Sequence, residues 1–330
     1  MVLSMMRFNM IAPGVDPAHH SAMHKEMLDM AEYGEKHGFS IISTEEHHGA
    51  ANGWSPCPKI FAASIFGRTK TTLVTFSAIL LPLHDPLRMA EDIAVLDLIS
   101  GGRTITIFGM GYRPEEYEMA GVSWKDRGKV MDECVDAVLK AWTGEPFEFR
   151  GRTVRVTPRP FTQPHPTLML GGTSKAAVRR AARFGLPVSL AANMPELETV
   201  YNEECAKLGK QGFISMPPAG FHHIWIADDP DAGWDEIGKY LLHEAMTYGA
   251  WQTPDIRSAV HSHASTTAEL RAEGIYRIIT PDECIAELKG MGEGATGSLH
   301  PFCGGMPIDT AWKYLSNYVE KVLGKLATTS

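Results

Sequence analysis

The chain has 330 residues and little of what would staple, anchor or strongly charge it. Its five cysteines, Cys57, Cys134, Cys205, Cys284 and Cys303, are scattered, odd in number and form no C-x-x-C pair. That disfavours a disulfide framework and a cysteine zinc site, and predicts a reducing, cytoplasmic setting. No apolar run is long enough to span a bilayer, and the opening MVLSMMRFNMIAPG lacks the basic-then-apolar order of a signal peptide. There is no Lys/Arg cluster, and 31 basic against 39 acidic residues leave a net charge of −8. Nucleic acid and anionic membrane are thereby excluded as main partners. A hydrophobic fraction of 44% with 21% charged residues describes an ordinary globular protein.

Short apolar runs alternate with longer amphipathic ones. The strands read as Arg7–Ala12, Phe39–Ser43, Thr72–Leu81, Arg103–Phe108, Thr167–Leu170, Val188–Ala191, Phe221–Ala227 and Thr296–Phe302. Helices are predicted over His19–His37, Leu87–Ile99, Trp124–Trp142, Ser174–Phe184, Pro195–Leu208, Asp231–Tyr248 and Thr310–Leu323. Eight strand-then-helix units predict an α/β fold, a (β/α)8 TIM barrel of one domain over residues 1–330. The competing doubly wound sheet lacks its nucleotide fingerprint after the first strand. Gly144–Pro166 and Gly249–Pro281 exceed ordinary connections and read as loop excursions at the barrel mouth.

Three clusters fall at predicted carboxyl ends of strands, the active-site face of a barrel. Glu46, His47 and His48, within Thr44-Glu45-Glu46-His47-His48, offer a general base or a proton shuttle; a carboxylate and an imidazole merely satisfying each other is the plain alternative. No metal site is expected, because the H-E-x-x-H spacing is absent and no third ligand stands out. Gly109-Met110-Gly111-Tyr112-Arg113 permits close backbone approach, and Pro114 rules out a third fingerprint glycine. Gly171, Gly172, Thr173 and Ser174 open a helix and suit either a phosphate or an ordinary cap. His19-His20 and His222-His223 have no evident partners and read as surface or strand-end residues.

Together these residues resemble the bacterial luciferase-like monooxygenase family. The most specific segment is Ala78-Ile79-Leu80-Leu81-Pro82-Leu83-His84-Asp85-Pro86, followed by Ala90-Glu91-Asp92, Leu96-Asp97 and Ser100-Gly101-Gly102-Arg103. Glu46-His47-His48 is similar to the family's E-H-H motif, Gly109-x-Gly111-Tyr112-Arg113-x-x-Glu116-Tyr117 to its loop after strand four, and Thr280-Pro281-Asp282-Glu283 to its T-P-E-E turn.

The resemblance implies reduced FMN, supplied by a flavin reductase or NAD(P)H, that reacts with O2 to oxygenate a small organic substrate through a flavin hydroperoxide. It implies a flavin near a cis Ser77–Ala78 peptide, a phosphate at Thr173 and Ser174, contributions from Glu91 and Tyr112, a proton-handling His47 positioned by Glu46 or His48, and a homodimer. Met110 stands where luciferase has a phosphate-binding arginine, which leaves Arg113 as a substitute. Trp54, Phe61, Trp251 and His300 are candidates for a pocket lining. A deazaflavin-dependent hydride-transfer enzyme and a non-catalytic flavin-binding or partner subunit are the alternatives.

Overall fold

A computed structural model describes residues 3–14, 16–218, 223–252, 256–292 and 295–327. The chain opens with β1 (Leu3–Phe8), α1 (Pro17–Lys36), β2 (Phe39–Thr44), α2 (Pro58–Phe66) and β3 (Leu73–Leu80). A 3-10 turn, Leu81–Leu83, leads into α3 (Pro86–Ser100), β4 (Thr104–Gly109), α4 (Pro114–Met119) and α5 (Arg127–Ala141). A hairpin, β5 (Phe147–Phe149) and β6 (Arg152–Val154), precedes β7 (Thr167–Gly171), α6 (Lys175–Phe184), β8 (Val188–Ser189), α7 (Pro195–Lys207) and β9 (Ile214–Ser215). Then come β10 (His223–Ile226), α8 (Pro230–Trp251), α9 (Thr267–Glu273), β11 (Tyr276–Ile279), α10 (Pro281–Met291) and β12 (Thr296–Leu299). The closing helix, α11 (Ile308–Tyr318), passes through a π turn at Val319–Leu323 into α12 (Gly324–Ala327).

Eight strands form one curled parallel sheet in the order β12-β1-β2-β3-β4-β7-β8-β9, and β10 pairs with β11 as a separate parallel ribbon. Among the described residues the backbone ladder therefore does not run round a complete ring. Side chains link the ribbon to the sheet: His223 Nδ1 on β10 lies 3.1 Å from Ser298 Oγ on β12. The sheet's core is apolar, with Met6, Phe8, Ile42, Val74, Phe76 and Phe108 all buried. The Ser77–Ala78 peptide is cis, as the resemblance implies, and the β3–β4 register shifts between Ser77 and Ile79.

Local chemistry explains most boundaries. Asp85 accepts from the amides of Leu87 and Arg88, Pro86 occupies the first turn of α3, and Gly101 ends that helix at φ +66°. Thr280 and Glu283 form a capping box at α10. The first strand begins and ends earlier than predicted, because Met10 turns to φ +57°. Of the predicted seventh strand, Phe221 and His222 lie outside the described residues. β5, β6, β9 and β11 were not predicted; β5 and β6 lie inside one stretch read as an excursion and β11 inside the other.

The first of these excursions is misplaced in the sequence reading. Gly144–Pro166 packs at the amino end of β4, not at the mouth. The carboxylate of fully buried Asp97 accepts from Thr162 N at 2.7 Å, Thr162 Oγ1 at 3.2 Å and Thr104 Oγ1 at 3.1 Å. Arg103 donates to Ser100 O, Thr69 O, Thr69 Oγ1 and Thr72 O. The Leu96-Asp97 and Ser100-Gly101-Gly102-Arg103 motifs thus join α3, β4 and the excursion, and their role is structural.

Glu35 on α1 ties that helix to the start of β3. Burial would raise its carboxyl, but the amides of Thr71, Lys70 and Thr72 lower it from 4.5 to about 2. Its contribution to stability is present above the unfolded value and disappears as pH falls from about 4.5 toward 2. Glu35→Gln should be less stable than wild type at neutral pH, with the difference shrinking across that acid range; denaturation midpoints measured from pH 7 downward check this.

Candidate functional site

The carboxyl end of β2 delivers Glu45, Glu46, His47 and His48 in succession, and they diverge into separate networks. His47, 6% exposed, places Nδ1 3.0 Å from Glu116 Oε1 on α4 and Nε2 3.3 Å from the Tyr112 hydroxyl. The same Glu116 oxygen accepts from His48 N at 3.0 Å and Arg113 Nη1 at 3.2 Å. A carboxylate on Nδ1 fixes the tautomer and leaves Nε2 as the working nitrogen. Around the imidazole stand Trp54, Tyr112, Tyr248 and Trp251, at centroid distances of 4.9 to 6.4 Å. Burial pushes the Tyr112 phenol well above its ordinary range.

Neither Glu46 nor His48 positions His47, contrary to expectation; Glu116 does so through its side chain. Glu46 turns to the other side. Its Oε1 lies 2.9 Å from His48 Nε2 and 2.6 Å from His84 Nε2, and its Oε2 accepts from Leu80 N at 2.7 Å. Burial opposes ionisation, yet His48, His84 and the Leu80 amide hold this carboxyl at about 2. The hydrogen bond to Glu46 in turn raises the His48 imidazole. His84 is thus a third member of this cluster, which spacing along the chain did not reveal.

Glu45 faces inward, to the buried guanidinium of Arg7. Arg7 Nε and Nη2 donate to the two Glu45 oxygens, the second at 3.0 Å, and Nη1 donates to Glu244 Oε1 on α8 at 3.0 Å. Nη1 also lies 3.2 Å from His223 Nε2, so His223 is a strand-end residue, at the start of β10, but a buried one with Arg7 as its partner. Asn9 donates to Glu244 Oε2 at 2.8 Å, and His300 Nδ1 lies 3.2 Å from the same oxygen. Burial favours neutral forms here, but the opposed charges keep Arg7 raised and Glu244 well below its ordinary value. Trp54 Nε1 donates to Glu45 Oε2 at 3.2 Å, which fixes one wall of the His47 chamber.

A second zone lies across the ends of β3, β4 and β7. Ser77 is exposed and Ala78 half-buried. A side chain at Gly109 would approach Ala78 Cβ to 3.1 Å, and one at Gly171 would approach Ile107 Cγ2 to 3.1 Å. Gly172 has φ +152°, and a Cβ there would come within 2.6 Å of Ala177 Cβ, so the turn into α6 requires glycine. Ser174 caps α6 by accepting from Ala177 N at 3.2 Å, which leaves the other first-turn amides for an external acceptor. Gly111, at φ +72°, sits against Leu80 and Glu116 and joins this zone to Tyr112 and His47.

Several predicted residues lie elsewhere. Glu91 pairs with Arg88 on α3 at 2.8 Å, and no described contact connects it to Ser77 or Tyr112. Arg113 is no substitute phosphate ligand: it donates to Glu116 and to His48 O and stacks 4.1 Å from the Trp251 ring centre. Phe61 packs on His24, and His300 is fully buried; of the suggested lining residues, Trp54 and Trp251 reach His47.

The fold and site define an α/β protein with a parallel sheet, a glycine-cleared ledge and a buried imidazole at the carboxyl edge. The luciferase-like monooxygenase family model matches residues 6–294, and the chain belongs to that family. It is 23% identical over 246 residues to the oxygenase component of a flavin-dependent trigonelline monooxygenase of Acinetobacter baylyi, covering 69% of this chain and 66% of that protein. It is 28% identical over 171 residues to the alkanal monooxygenase beta chain of Vibrio harveyi, covering 50% and 52%. The chain spans about half the length of the first curated relatives it matches, 52% and 44% in two cases.

Among solved structures, monooxygenase RslO1 from Streptomyces bottropensis superposes with a TM-score of 0.75 at 24% identity, covering 98% of this chain and 100% of that one. The oxygenating constituent of 3,6-diketocamphane monooxygenase of Pseudomonas putida, in complex with FMN, gives 0.70 at 16% identity over 98% of each chain. These likenesses establish the fold.

Arg7 is the residue whose loss leaves most charge stranded. Arg7→Met would leave Glu45 buried with only the Trp54 N–H as donor, and Glu244 with His300 and Asn9 but without its guanidinium, a cost of about 3–5 kcal/mol. The urea midpoint of the variant should fall accordingly, and a change within 1 kcal/mol would show that the cluster is neutralised in another way.

Proposed function

We propose that this protein is an FMN-dependent monooxygenase that oxygenates a small organic substrate at the carboxyl edge of its sheet. The observation that carries this reading is a buried imidazole, His47, held by Glu116 on one nitrogen, facing Tyr112 on the other, and enclosed by aromatic rings. FMN fits the ledge beside it. Ser77, Ala78, Gly109 and Gly111 would border the ring system, and Gly171, Gly172, Thr173 and Ser174 with the α6 amides would hold the phosphate. When bound, reduced FMN supplies the electrons that activate O2.

The chain's own residues then do three things. Trp54, Tyr248 and Trp251 exclude water from the reacting space. Glu116 keeps His47 in one tautomer, and Arg113 balances the carboxylate's charge. His47 Nε2, beside the Tyr112 hydroxyl, gives or takes a proton as oxygen is transferred. A flavin reductase is the expected partner, since one relative is named as an oxygenase component.

We infer that the β10–β11 ribbon closes a TIM barrel of one domain; the contacts His223–Ser298 and Arg7–His223, on the seam between β10 and the β12–β1 edge, support this reading. α2 and α3 expose Ile60, Val95, Leu98 and Ile99. Among the described residues no helix is long and apolar enough to cross a membrane, and we assign this strip to a homodimer in the cytoplasm.

Titration with reduced FMN, and separately with reduced deazaflavin, followed by air, tests the chemistry. FMN should bind preferentially and be consumed with oxygen transfer; preference for the deazaflavin without oxygen reactivity would move the protein to hydride transfer. His47→Gln should keep FMN affinity and lose about 10²–10⁴-fold in turnover. Thr173→Ala with Ser174→Ala should weaken FMN much more than riboflavin. Equal losses for both flavins would place the phosphate elsewhere.

Sedimentation of wild type and Leu98→Glu tests the dimer. Wild type should sediment as a dimer and the variant as a monomer; a monomeric wild type overturns this assignment.

A further inference from the structure

The mechanism above uses Glu116 to hold His47 and gives no task to the Glu46–His48–His84 cluster. Its geometry is specific. Both imidazoles aim Nε2 at one and the same carboxylate oxygen, at 2.9 and 2.6 Å. The other oxygen is pinned by the Leu80 amide, and the three donor atoms lie within 4.8 Å of one another. Glu46 is buried, with a side-chain exposure of 1%, whereas His48 and His84 are 22% and 24% exposed. A solute can therefore reach the imidazoles from the rim without opening the core.

The geometry points to a divalent transition-metal site formed by Glu46 Oε1, His48 Nε2 and His84 Nε2. Two imidazoles and one carboxylate suit zinc, cobalt or iron(II), and three protein ligands leave an open coordination position. A tetrahedral ion with bonds of about 2.0–2.1 Å sets its ligand atoms about 3.3 Å apart. The two oxygen–nitrogen distances need to open by less than 1 Å, and the two nitrogens, within 4.8 Å of each other, to settle to the same spacing, shifts that partly exposed side chains on two loops can make. The Leu80 amide supplies the outer contact that orients a carboxylate ligand.

The neighbouring charges leave room for a cation. Arg113 is committed to Glu116 and the His48 carbonyl, and the Asp85 carboxylate beside His84 caps α3. The other grouping of this kind, Glu244, His300 and Cys303, is fully enclosed and has Arg7 on Glu244. It offers a cation neither a path nor a favourable charge. A bound ion at the rim would clamp the end of β2 to the turn after β3. This site needs no flavin, so it stands or falls separately from the monooxygenase reading.

The test uses the full chain, dialysed against a chelator and titrated with cobalt(II) chloride. Wild type should bind one ion per chain with visible ligand-field bands, and zinc should displace it and raise the melting temperature. His84→Ala should weaken cobalt binding at least about tenfold. His84→Gln retains a donor for Glu46 and tests ligation if the alanine variant does not fold; it too should lose the bands. His263→Ala, at a half-buried and exposed histidine pair with rings 4.5 Å apart, should bind as wild type. Absence of saturable binding in wild type, unchanged affinity in His84→Gln, or loss in His263→Ala each overturns the site.

Discussion

The buried guanidinium of Arg7 is the constraint on which the working end of the molecule depends. It stands on the first strand, grips Glu45 at the end of β2, and reaches Glu244 on α8 and His223 on β10. Desolvating such a group is tolerable only because two carboxylates surround it. Once Glu244 is fixed, the rest of α8 is fixed in rotation. Tyr248 and Trp251, one and two turns further along, then fall beside His47. Glu45 acts in the same way through Trp54. The electrostatic centre beneath the site thus sets the position of its apolar walls.

The four consecutive polar residues after β2 show how a strand end distributes chemistry. Side chains alternate along extended backbone, so Glu45 enters the interior while Glu46 points to the β3 turn. His47 and His48 then diverge toward Glu116 and Glu46. Neighbours in sequence become members of three separate networks. Glu116 joins His47 to the His48 backbone, through the His48 amide directly and through Arg113 to the His48 carbonyl, not to the His48 ring.

Much of the scaffold is legible in the sequence because its signals are local. Pro86 and Gly101 mark α3, Thr280 and Glu283 mark α10, and apolar runs mark the central strands. The cis Ser77–Ala78 peptide and the glycine turn into α6 follow from the resemblance and from backbone sterics. What the sequence does not reveal is pairing at a distance. Glu116 lies 69 positions from His47, His84 lies 38 from Glu46, and Glu244 lies 237 from Arg7. No periodicity encodes such contacts. The same blindness hides β11, whose short apolar run sits inside a long connection, and turns Asp97 and Arg103 into a motif without an evident role until Thr162 is seen docked on them.

The ledge and the chamber come from different parts of the chain. The glycine-cleared ledge is built from residues between Ser77 and Ser174, while much of the aromatic wall around His47 belongs to the end of α8. Substitutions near Tyr248 and Trp251 can therefore reshape the space beside the imidazole without disturbing the ledge. For a lineage of such proteins, this amounts to a fixed socket with an exchangeable mould. A few changes on one helix would alter the space beside His47, while the glycines that clear the ledge stay as they are.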